Sequence, residues 1–258
     1  MTPTSPFDLF DLTGKVAVVT GGSRGIGRSI VLGFARAGAD VVVTSRKLDN
    51  CEAVAREVTE TTGRRALAIA THVAYWDQCD RLVDTVYNEF GHCDILVNNA
   101  GMSPLYPDLA SITEDYYEKV HGVNLKGPFR LATQFGTRMS DADGGSIINV
   151  STIGSLRASS LELVYACAKA GLNALTIGLA DSFGPKVRAN CILPGAILTD
   201  IAEAWSPETR AGVGNLTPLK RAGVADDFIG TALWLASDAS SYVTGVLVRV
   251  DGGMYRQT

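Results

Sequence analysis

Short apolar runs rich in β-branched residues alternate along the chain with longer segments of helical periodicity. The runs show no inside–outside alternation, which is typical of strands buried on both faces of a sheet. They predict strands at Val16–Thr20, Val41–Thr44, Ala66–Ala70, Ile95–Val97, Ser146–Val150, Val187–Ile192 and Leu247–Val250. The periodic segments predict helices at Gly25–Ala37, Asp49–Thr62, Asp77–Phe90, Glu114–Met139, Leu163–Phe183 and Ala225–Ala236. Strict succession of strand and helix predicts an α/β Rossmann fold, with a doubly wound parallel seven-stranded sheet flanked by helices.

The chain has 258 residues and 46% hydrophobic content, which is enough for one sizeable core. No repeat and no Pro-, Gly- or Ser-rich linker divides it, so we expect a single domain over residues 1–258 with a tail at 1–11. The least regular segment is 194–223, which contains several prolines and glycines. It is either a lid over a site or an ordered surface loop with a short helix.

Composition excludes several classes of function. The net charge is −4 and the basic residues are scattered, so we expect no nucleic-acid partner. No apolar run has the length of a membrane span, and the N-terminus has no basic residue before an apolar run, so we expect neither membrane nor secretion. The five cysteines are widely spaced and odd in number, which indicates reduced thiols in the cytoplasm without disulfides or a zinc site. His92 and His121 show no ligand spacing, so we expect no metal.

A glycine-rich stretch, Thr20–Gly27, joins the first strand to the first helix. Gly21, Gly25 and Gly27 would allow a tight turn and a close approach of the backbone to a pyrophosphate, which the helix N-terminus would also attract. The spacing G-xxx-G-x-G is not the commonest one, and a glycine-rich turn can be only a turn. Its position after the first strand favours a dinucleotide loop, with Ser23, Arg24 and Ile26 as further contacts.

The second predicted strand ends in Val43-Thr44-Ser45-Arg46 and carries no acid. NAD sites usually have an acid at this place, about 20 residues past the glycines, to bind the ribose 2′-OH. Arg46 and Arg24 could instead hold a 2′-phosphate by charge-assisted hydrogen bonds, although both could also be solvated surface residues. The missing acid favours NADP(H) over NAD(H).

Tyr165 and Lys169 lie four residues apart in a helical segment and therefore share one face. A neighbouring ammonium group would lower the phenol pKa from about 10. Tyr165 could then give a proton to a carbonyl or take one from an alcohol. Such a pair can also arise by chance.

Six motifs in a fixed order resemble the short-chain dehydrogenase/reductase family, in its short single-domain branch. They are Thr20–Gly27, Asn98-Asn99-Ala100-Gly101, Asn124, Tyr165 with Lys169, Pro194-Gly195 with Thr199, and Val250-Asp251-Gly252-Gly253. The resemblance covers residues 12–253. The members of the family that this chain resembles include 3-oxoacyl-(acyl carrier protein) reductases.

The resemblance implies hydride transfer between NADP(H) and a ketone or secondary alcohol. Tyr165 would be the general acid/base, and Lys169 would hold the nicotinamide ribose and lower the tyrosine pKa. Asn124 would anchor a water that relays protons, or play a structural part in its helix. Besides the glycine loop, Tyr165 and Lys169, the implied cofactor contacts are Ser45, Arg46, His72, Val73, Asn98, Ala100, Gly101, Pro194, Gly195, Ile197 and Thr199. A homotetramer or homodimer joined through the fourth and fifth helical segments and the last strand is also implied, although the apolar faces of those helices could serve only to pack on the sheet.

The chain departs from the family pattern at two positions. The family's substrate-orienting serine lies 13 residues before the tyrosine, where this chain has Thr152. We favour Thr152, whose hydroxyl can donate the same hydrogen bond, over Ser151, which a register shift of one would select. His72 stands where the family often has an acid beside the adenine, and it either contacts the adenine or is a turn histidine.

Two hypotheses of different class remain. The first is an NADP(H)-dependent oxidoreductase that acts on a small carbonyl substrate, such as a 3-oxoacyl thioester or a sugar acid or polyol. The second is a non-catalytic NADP(H)-binding regulatory protein, for which the altered serine is the only support. Segments 102–109 and 194–223 would set the substrate, and their apolar residues Leu198, Ile201, Trp205 and Leu216 line the pocket or belong to the core.

Overall fold

The computed structural model describes residues 5–197, 212 and 214–255. Its sheet has seven strands in the order β3-β2-β1-β4-β5-β6-β7, and every pairing is parallel. The strands are β1 Val16–Thr20, β2 Asp40–Ser45, β3 Ala66–Ala70, β4 Ile95–Asn98, β5 Gly145–Val150, β6 Val187–Pro194 and β7 Leu247–Val250. After β3 the chain crosses back to place β4 beside β1, so the strand order reverses once, between β1 and β4, which confirms the predicted doubly wound Rossmann fold.

The described residues form seven α-helices: α1 Gly25–Arg36, α2 Leu48–Thr62, α3 Trp76–Phe90, α4 Glu114–His121, α5 Gly127–Asp141, α6 Leu163–Phe183 and α7 Ile229–Ala236. Helices α1, α2 and α7 pack on one face of the sheet, and α3, α5 and α6 pack on the other. All five residues of β1 are buried because Ala17 and Val19 face the first cluster while Val16 and Val18 face the second. This two-sided burial explains the unbroken apolar pattern of the central strands.

The expectation of two-sided burial was wrong for the edge strands. β3 and β7 are only partly buried, because each has a single neighbouring strand. The predicted helix Glu114–Met139 is also interrupted, since a π-helical turn at Gly122–Lys126 separates α4 from α5. The predicted segment Ala225–Ala236 begins with a 3-10 turn at Ala225–Phe228 before α7. A further 3-10 turn, Pro6–Phe10, lies in the predicted tail.

Of the described residues, only helix α6 is long and apolar enough that it could also suit a membrane span. It packs against β6 and against α5, and Leu172, Thr176 and Leu179 are among its buried residues. These are the contacts of a core helix. The carboxyl ends of β1, β4, β5 and β6 all open at the same edge of the parallel sheet, which brings the motif-bearing loops together there.

Candidate active site

The turn between β1 and α1 needs its glycines. Gly21 has φ 65° and Gly25 has φ 53°, a backbone region that disfavours other residues. A β-carbon at Gly27 would collide with the Gly21 carbonyl and would lie 2.5 Å from Asn99 Nδ2. Arg24 is the N-cap of α1, and its side chain makes no capping hydrogen bond. The first N–H groups of the helix, at its positive end, therefore lie at this turn without a side-chain cap. The geometry fits a pyrophosphate held against the backbone.

Asn99 ties this turn to the end of β4. Its Nδ2 donates to the Thr20 carbonyl at 2.9 Å and to the Gly21 carbonyl at 3.3 Å. In return, the N–H groups of Asn99 and Ala100 each donate to Thr20 Oγ1 at 3.0 Å. Thr20 and Asn99 therefore set the shape of the glycine turn; both lie in predicted motifs, although neither was among the predicted cofactor contacts.

Asn98 is placed differently from its predicted neighbours Ala100 and Gly101. Its side chain is buried within the sheet, where Nδ2 donates to Asn149 Oδ1 at 3.0 Å. Only its backbone is left for a cofactor contact. Gly101 lies at the catalytic end instead, since a β-carbon there would be 3.1 Å from Asn124 Oδ1 and 3.7 Å from Lys169 Nζ.

The end predicted for the adenosine lies beyond β2 and β3. Ser45 closes β2 with its hydroxyl 3.0 Å from Cys51 Sγ, and the exposed Arg46 follows. Burial, together with the positive charge of Arg46, lowers the pKa of His72, so these two side chains share one electrostatic environment. The His72 ring also lies 4.9 Å from that of Tyr75. Val73 is buried in the core.

Tyr165 and Lys169 meet at the end of β5. The Lys169 side chain is buried, and its Nζ donates to the Val150 carbonyl at 2.6 Å and lies 5.8 Å from the centre of the Tyr165 ring. Burial lowers the pKa of Lys169 to about 8. Burial also raises the pKa of Tyr165 above its ordinary 10.0, and the nearby Glu162 carboxylate raises it further. Burial therefore drives both groups toward their neutral forms, and the lowering of the tyrosine pKa by Lys169 stays a prediction.

Asn124 sits fully buried in the π-helical turn. Its Nδ2 donates to the carbonyls of Met102 and Val120, both at 2.8 Å, and its Oδ1 accepts from the Met102 N–H at 3.2 Å. Both amide hydrogens are used, so only an acceptor position at Oδ1 is left for the predicted water. The contacts give Asn124 a structural role: it fastens the loop after β4 to the helical segment.

The two hydroxyls considered for carbonyl binding differ in what they already contact. Ser151 is buried, with its Oγ 3.2 Å from the Lys169 carbonyl and 3.3 Å from Ser155 Oγ, so its hydrogen is used inside the protein. Thr152 Oγ1 accepts from the Gly154 N–H at 3.1 Å. That bond occupies an acceptor position and leaves the Thr152 O–H as a donor. The geometry favours Thr152 for the predicted role.

The segment predicted to face the nicotinamide follows β6. The Gly195 N–H donates to the Val250 carbonyl at 3.1 Å, and a β-carbon at Gly195 would lie 2.7 Å from Asp251 Cα. Pro194 ends β6, and Ile197 pairs with Gly223. Within 214–223, Leu216 is 58% exposed and so is not a core residue. Thr199 and the predicted lining residues Leu198, Ile201 and Trp205 lie outside the described residues.

Sequence reasoning missed two tyrosines that hold the 102–109 loop, one of the segments predicted to set the substrate. The Tyr106 hydroxyl donates to the Ser160 carbonyl at 2.6 Å and accepts from the Leu163 N–H at 2.8 Å. Tyr116 meets its ring edge-on at 5.7 Å and donates to the Pro104 carbonyl at 2.6 Å. These bonds hold the 102–109 loop against the N-terminus of α6. No local pattern predicts them, because the partners lie more than 50 positions apart for Tyr106.

Comparison with known proteins decides the family. A family model described as enoyl-(acyl carrier protein) reductase matches residues 21–255. Short chain dehydrogenase/reductase astE of Aspergillus oryzae is 37% identical over 253 residues, which cover 95% of this chain and 96% of that protein. The chain belongs to the short-chain dehydrogenase/reductase family.

Other members of this short-chain dehydrogenase/reductase family extend the likeness. The 3-oxoacyl-(acyl-carrier-protein) reductase FabG of Chlamydia trachomatis is 36% identical over 244 residues, covering 94% of this chain and 98% of that protein. The crystal structure of L-sorbose reductase from Gluconobacter frateurii, complexed with NADPH and L-sorbose, superposes with a TM-score of 0.91 at 30% identity. That match covers 97% of this chain and all of the other. As a member of the short-chain dehydrogenase/reductase family, the protein is an oxidoreductase.

Proposed function

We propose that this protein transfers a hydride between NADP(H) and a ketone or secondary alcohol, with Tyr165 as the general acid/base. The observation that carries the proposal is that Lys169 Nζ bonds to the end of β5 and lies 5.8 Å from the Tyr165 ring, with Thr152 two residues past that strand and the glycine turn at the same sheet edge. A bound reduced nicotinamide would supply the hydride. The chain's own groups would position the carbonyl and move the proton.

In the reducing direction, the free Thr152 O–H donates to the substrate oxygen and polarises the carbonyl. Tyr165 then donates its phenolic proton to the developing alkoxide. The raised pKa of Tyr165 keeps the phenol protonated at neutral pH, as an acid requires. Lys169, tied to Val150, would hold the nicotinamide ribose. In the oxidising direction Tyr165 must first lose its own proton, because only the phenolate can accept one from the alcohol.

The preference for NADP(H) rests on charge. Arg46 follows the end of β2, where no acid stands, and its positive charge is felt at His72. The positive charge of Arg46 and the missing acid therefore favour an added phosphate over a bare ribose hydroxyl. In L-sorbose reductase of Gluconobacter frateurii, a family member that superposes closely, NADPH is the bound cofactor.

The substrate class remains within two groups that relatives suggest. FabG of Chlamydia trachomatis is named a 3-oxoacyl-(acyl-carrier-protein) reductase, and the Gluconobacter frateurii enzyme reduces the sugar L-sorbose by its name. The alternative of a non-catalytic NADP(H)-binding regulator is disfavoured by the presence of Thr152, Tyr165 and Lys169 together.

Assembly into a homotetramer or homodimer stays a prediction, supported by the exposed apolar residues Phe129 on α5 and Ile177 on α6. Localisation in the cytoplasm also stays a prediction.

The deciding experiment follows the loss of reduced-nicotinamide absorbance with a panel of acetoacetyl thioesters, keto sugars, ketoesters and quinones. Wild type is compared with Tyr165→Phe, and Tyr242→Phe at a fully exposed tyrosine serves as the matched control. We expect turnover with NADPH that falls by about 100- to 10,000-fold in Tyr165→Phe and persists in the control. Cofactor binding without turnover of any ketone would favour the regulator instead.

A further inference from the structure

Glu162 immediately precedes helix α6 and stands three residues before Tyr165, yet its carboxylate does not cap that helix. It is turned toward Gly154 instead. A β-carbon at Gly154 would lie 2.5 Å from Glu162 Oε1 and 3.5 Å from Thr152 Oγ1. The carboxylate and the hydroxyl proposed to bind the carbonyl therefore flank the same glycine.

The Glu162 side chain is partly buried, and within the described part of the chain its carboxylate has no hydrogen-bond or ion-pair partner. Burial alone accounts for the raised pKa of this group. Leaving a carboxylate in such a place without a partner costs free energy, so buried polar groups of this kind usually have one. The charge of Glu162 also raises the pKa of Tyr165, so the carboxylate lies near the proposed general acid/base.

Among the described residues, the surroundings offer no other partner for this carboxylate. The 3-10 turn Ile153–Ser155 beside it carries no charged residue. The Tyr106 hydroxyl already bridges Ser160 and Leu163. A carboxylate in this position can accept hydrogen bonds from a ligand and repels an anionic one.

We propose that Glu162 is a specificity-determining residue that accepts a hydrogen bond from a substrate hydroxyl next to the reacting carbonyl. This inference rests on the proposed function, because it assumes that the carbonyl lies at Thr152 and Tyr165. It narrows the substrate class to uncharged, hydroxylated ketones such as keto sugars. Keto acids and other substrates with an anionic group beside the carbonyl are disfavoured.

Three ketones of equal carbon number provide the test: hydroxyacetone, acetone and pyruvate. Binding is measured by ligand-observed NMR with the protein–NADP⁺ complex, in which an oxidised cofactor cannot reduce a ketone. We expect wild type to bind hydroxyacetone more tightly than acetone, and pyruvate most weakly. In Glu162→Leu the hydroxyacetone-to-acetone ratio should fall by about 10- to 100-fold, the range of one hydrogen bond to a charged group. Glu162→Gln, which keeps an acceptor oxygen, should lose less.

Two further variants separate this role from a structural one. Gly154→Ala leaves the carboxylate in the chain but displaces its flexible end, and it should reduce the same ratio. Glu60→Leu, at an exposed acid on α2, should leave the ratio at the wild-type value. Each variant is first checked for the wild-type melting temperature and affinity for NADP⁺.

Equal binding of hydroxyacetone and acetone by wild type would overturn the proposal, as would equal weakening of both in Glu162→Leu. These results do not depend on turnover. The proposed function is tested separately, and it fails if no oxidation of NADPH that requires Tyr165 is found with any ketone. Hydroxyl selectivity without turnover would leave Glu162 as a ligand-recognition residue in a protein that does not reduce the ketone.

Discussion

The glycine turn and the substrate side of the site lie at the same sheet edge but are built in different ways. The glycine turn is shaped by backbone contacts between β1 and β4, which are neighbours in the sheet, and by one amide side chain, Asn99. The substrate side is assembled from side chains of separate segments: Thr152 after β5, Tyr106 from the 102–109 loop, and Glu162 before α6. The first region tolerates almost no added atom, whereas the second depends on which polar groups face the substrate. Substitutions in the first should therefore abolish binding, and those in the second should change rate or selectivity.

The largest effect is expected from Gly27→Val. The added side chain would collide with the Gly21 carbonyl and with Asn99, so the turn could not keep its shape. We expect loss of measurable cofactor binding by calorimetry and a lower melting temperature. Gly230→Ala on α7, an exposed helical position where a β-carbon meets nothing within 4 Å, is the control for general effects of filling a glycine. Unchanged cofactor affinity in Gly27→Val would show that the turn is not the phosphate site.

The next effect separates Thr152 from Ser151. Thr152→Ala removes the free O–H donor, and we expect kcat/KM to fall by about 100- to 1,000-fold while Thr152→Ser keeps most activity. Ser151→Ala removes buried bonds to the Lys169 carbonyl and Ser155, so it should mainly lower the free energy of unfolding by about 1 kcal/mol. Steady-state kinetics and urea unfolding measure the two effects. The opposite pattern would assign the carbonyl-binding role to Ser151.

A smaller effect is expected at the adenosine end. Arg46→Ala should raise the KM for NADPH by about 10-fold or more, the range of one charge-assisted hydrogen bond, and leave the KM for NADH nearly unchanged. The control is Arg56→Ala, an exposed arginine on α2. An equal change in both KM values would mean that Arg46 does not contact the 2′-phosphate.

The smallest effect concerns stability against pH. The pKa of Lys169 is lowered from 10.5 to about 8, so between these values the unfolded chain binds more protons at this site than the folded chain. The free energy of unfolding should therefore gain a rising contribution from about pH 8 upward. Tyr165, whose pKa is raised above 10.0, opposes this trend above pH 10 because its folded form keeps a proton that the unfolded form loses. Urea unfolding of wild type and Lys169→Met at several pH values between about 8 and 10.5 tests this prediction. Parallel curves of unfolding free energy against pH for the two proteins would contradict the burial of a titrating Lys169.

Much of the fold follows from local patterns. Four strand or helix ranges, those of β1, β3, β7 and α6, coincide with the prediction, because a short apolar run and helical periodicity are properties of contiguous residues. The interruption at Gly122–Lys126 was not predictable in the same way. It coincides with Asn124, whose amide bonds reach back to Met102 on another segment.

The sequence by itself determined the α/β succession, the glycine turn after β1 and the pairing of Tyr165 with Lys169, because each depends on spacing along the chain. Only the tertiary structure decided that Ser151 faces inward while Thr152 keeps a free donor, since their partners come from α6 and from the following turn. It also decided the direction of the Tyr165 and Lys169 pKa shifts, which burial by distant segments controls. The position of Glu162 beside Gly154 was also decided only by the tertiary structure, because it is a contact between two segments that no local pattern predicts.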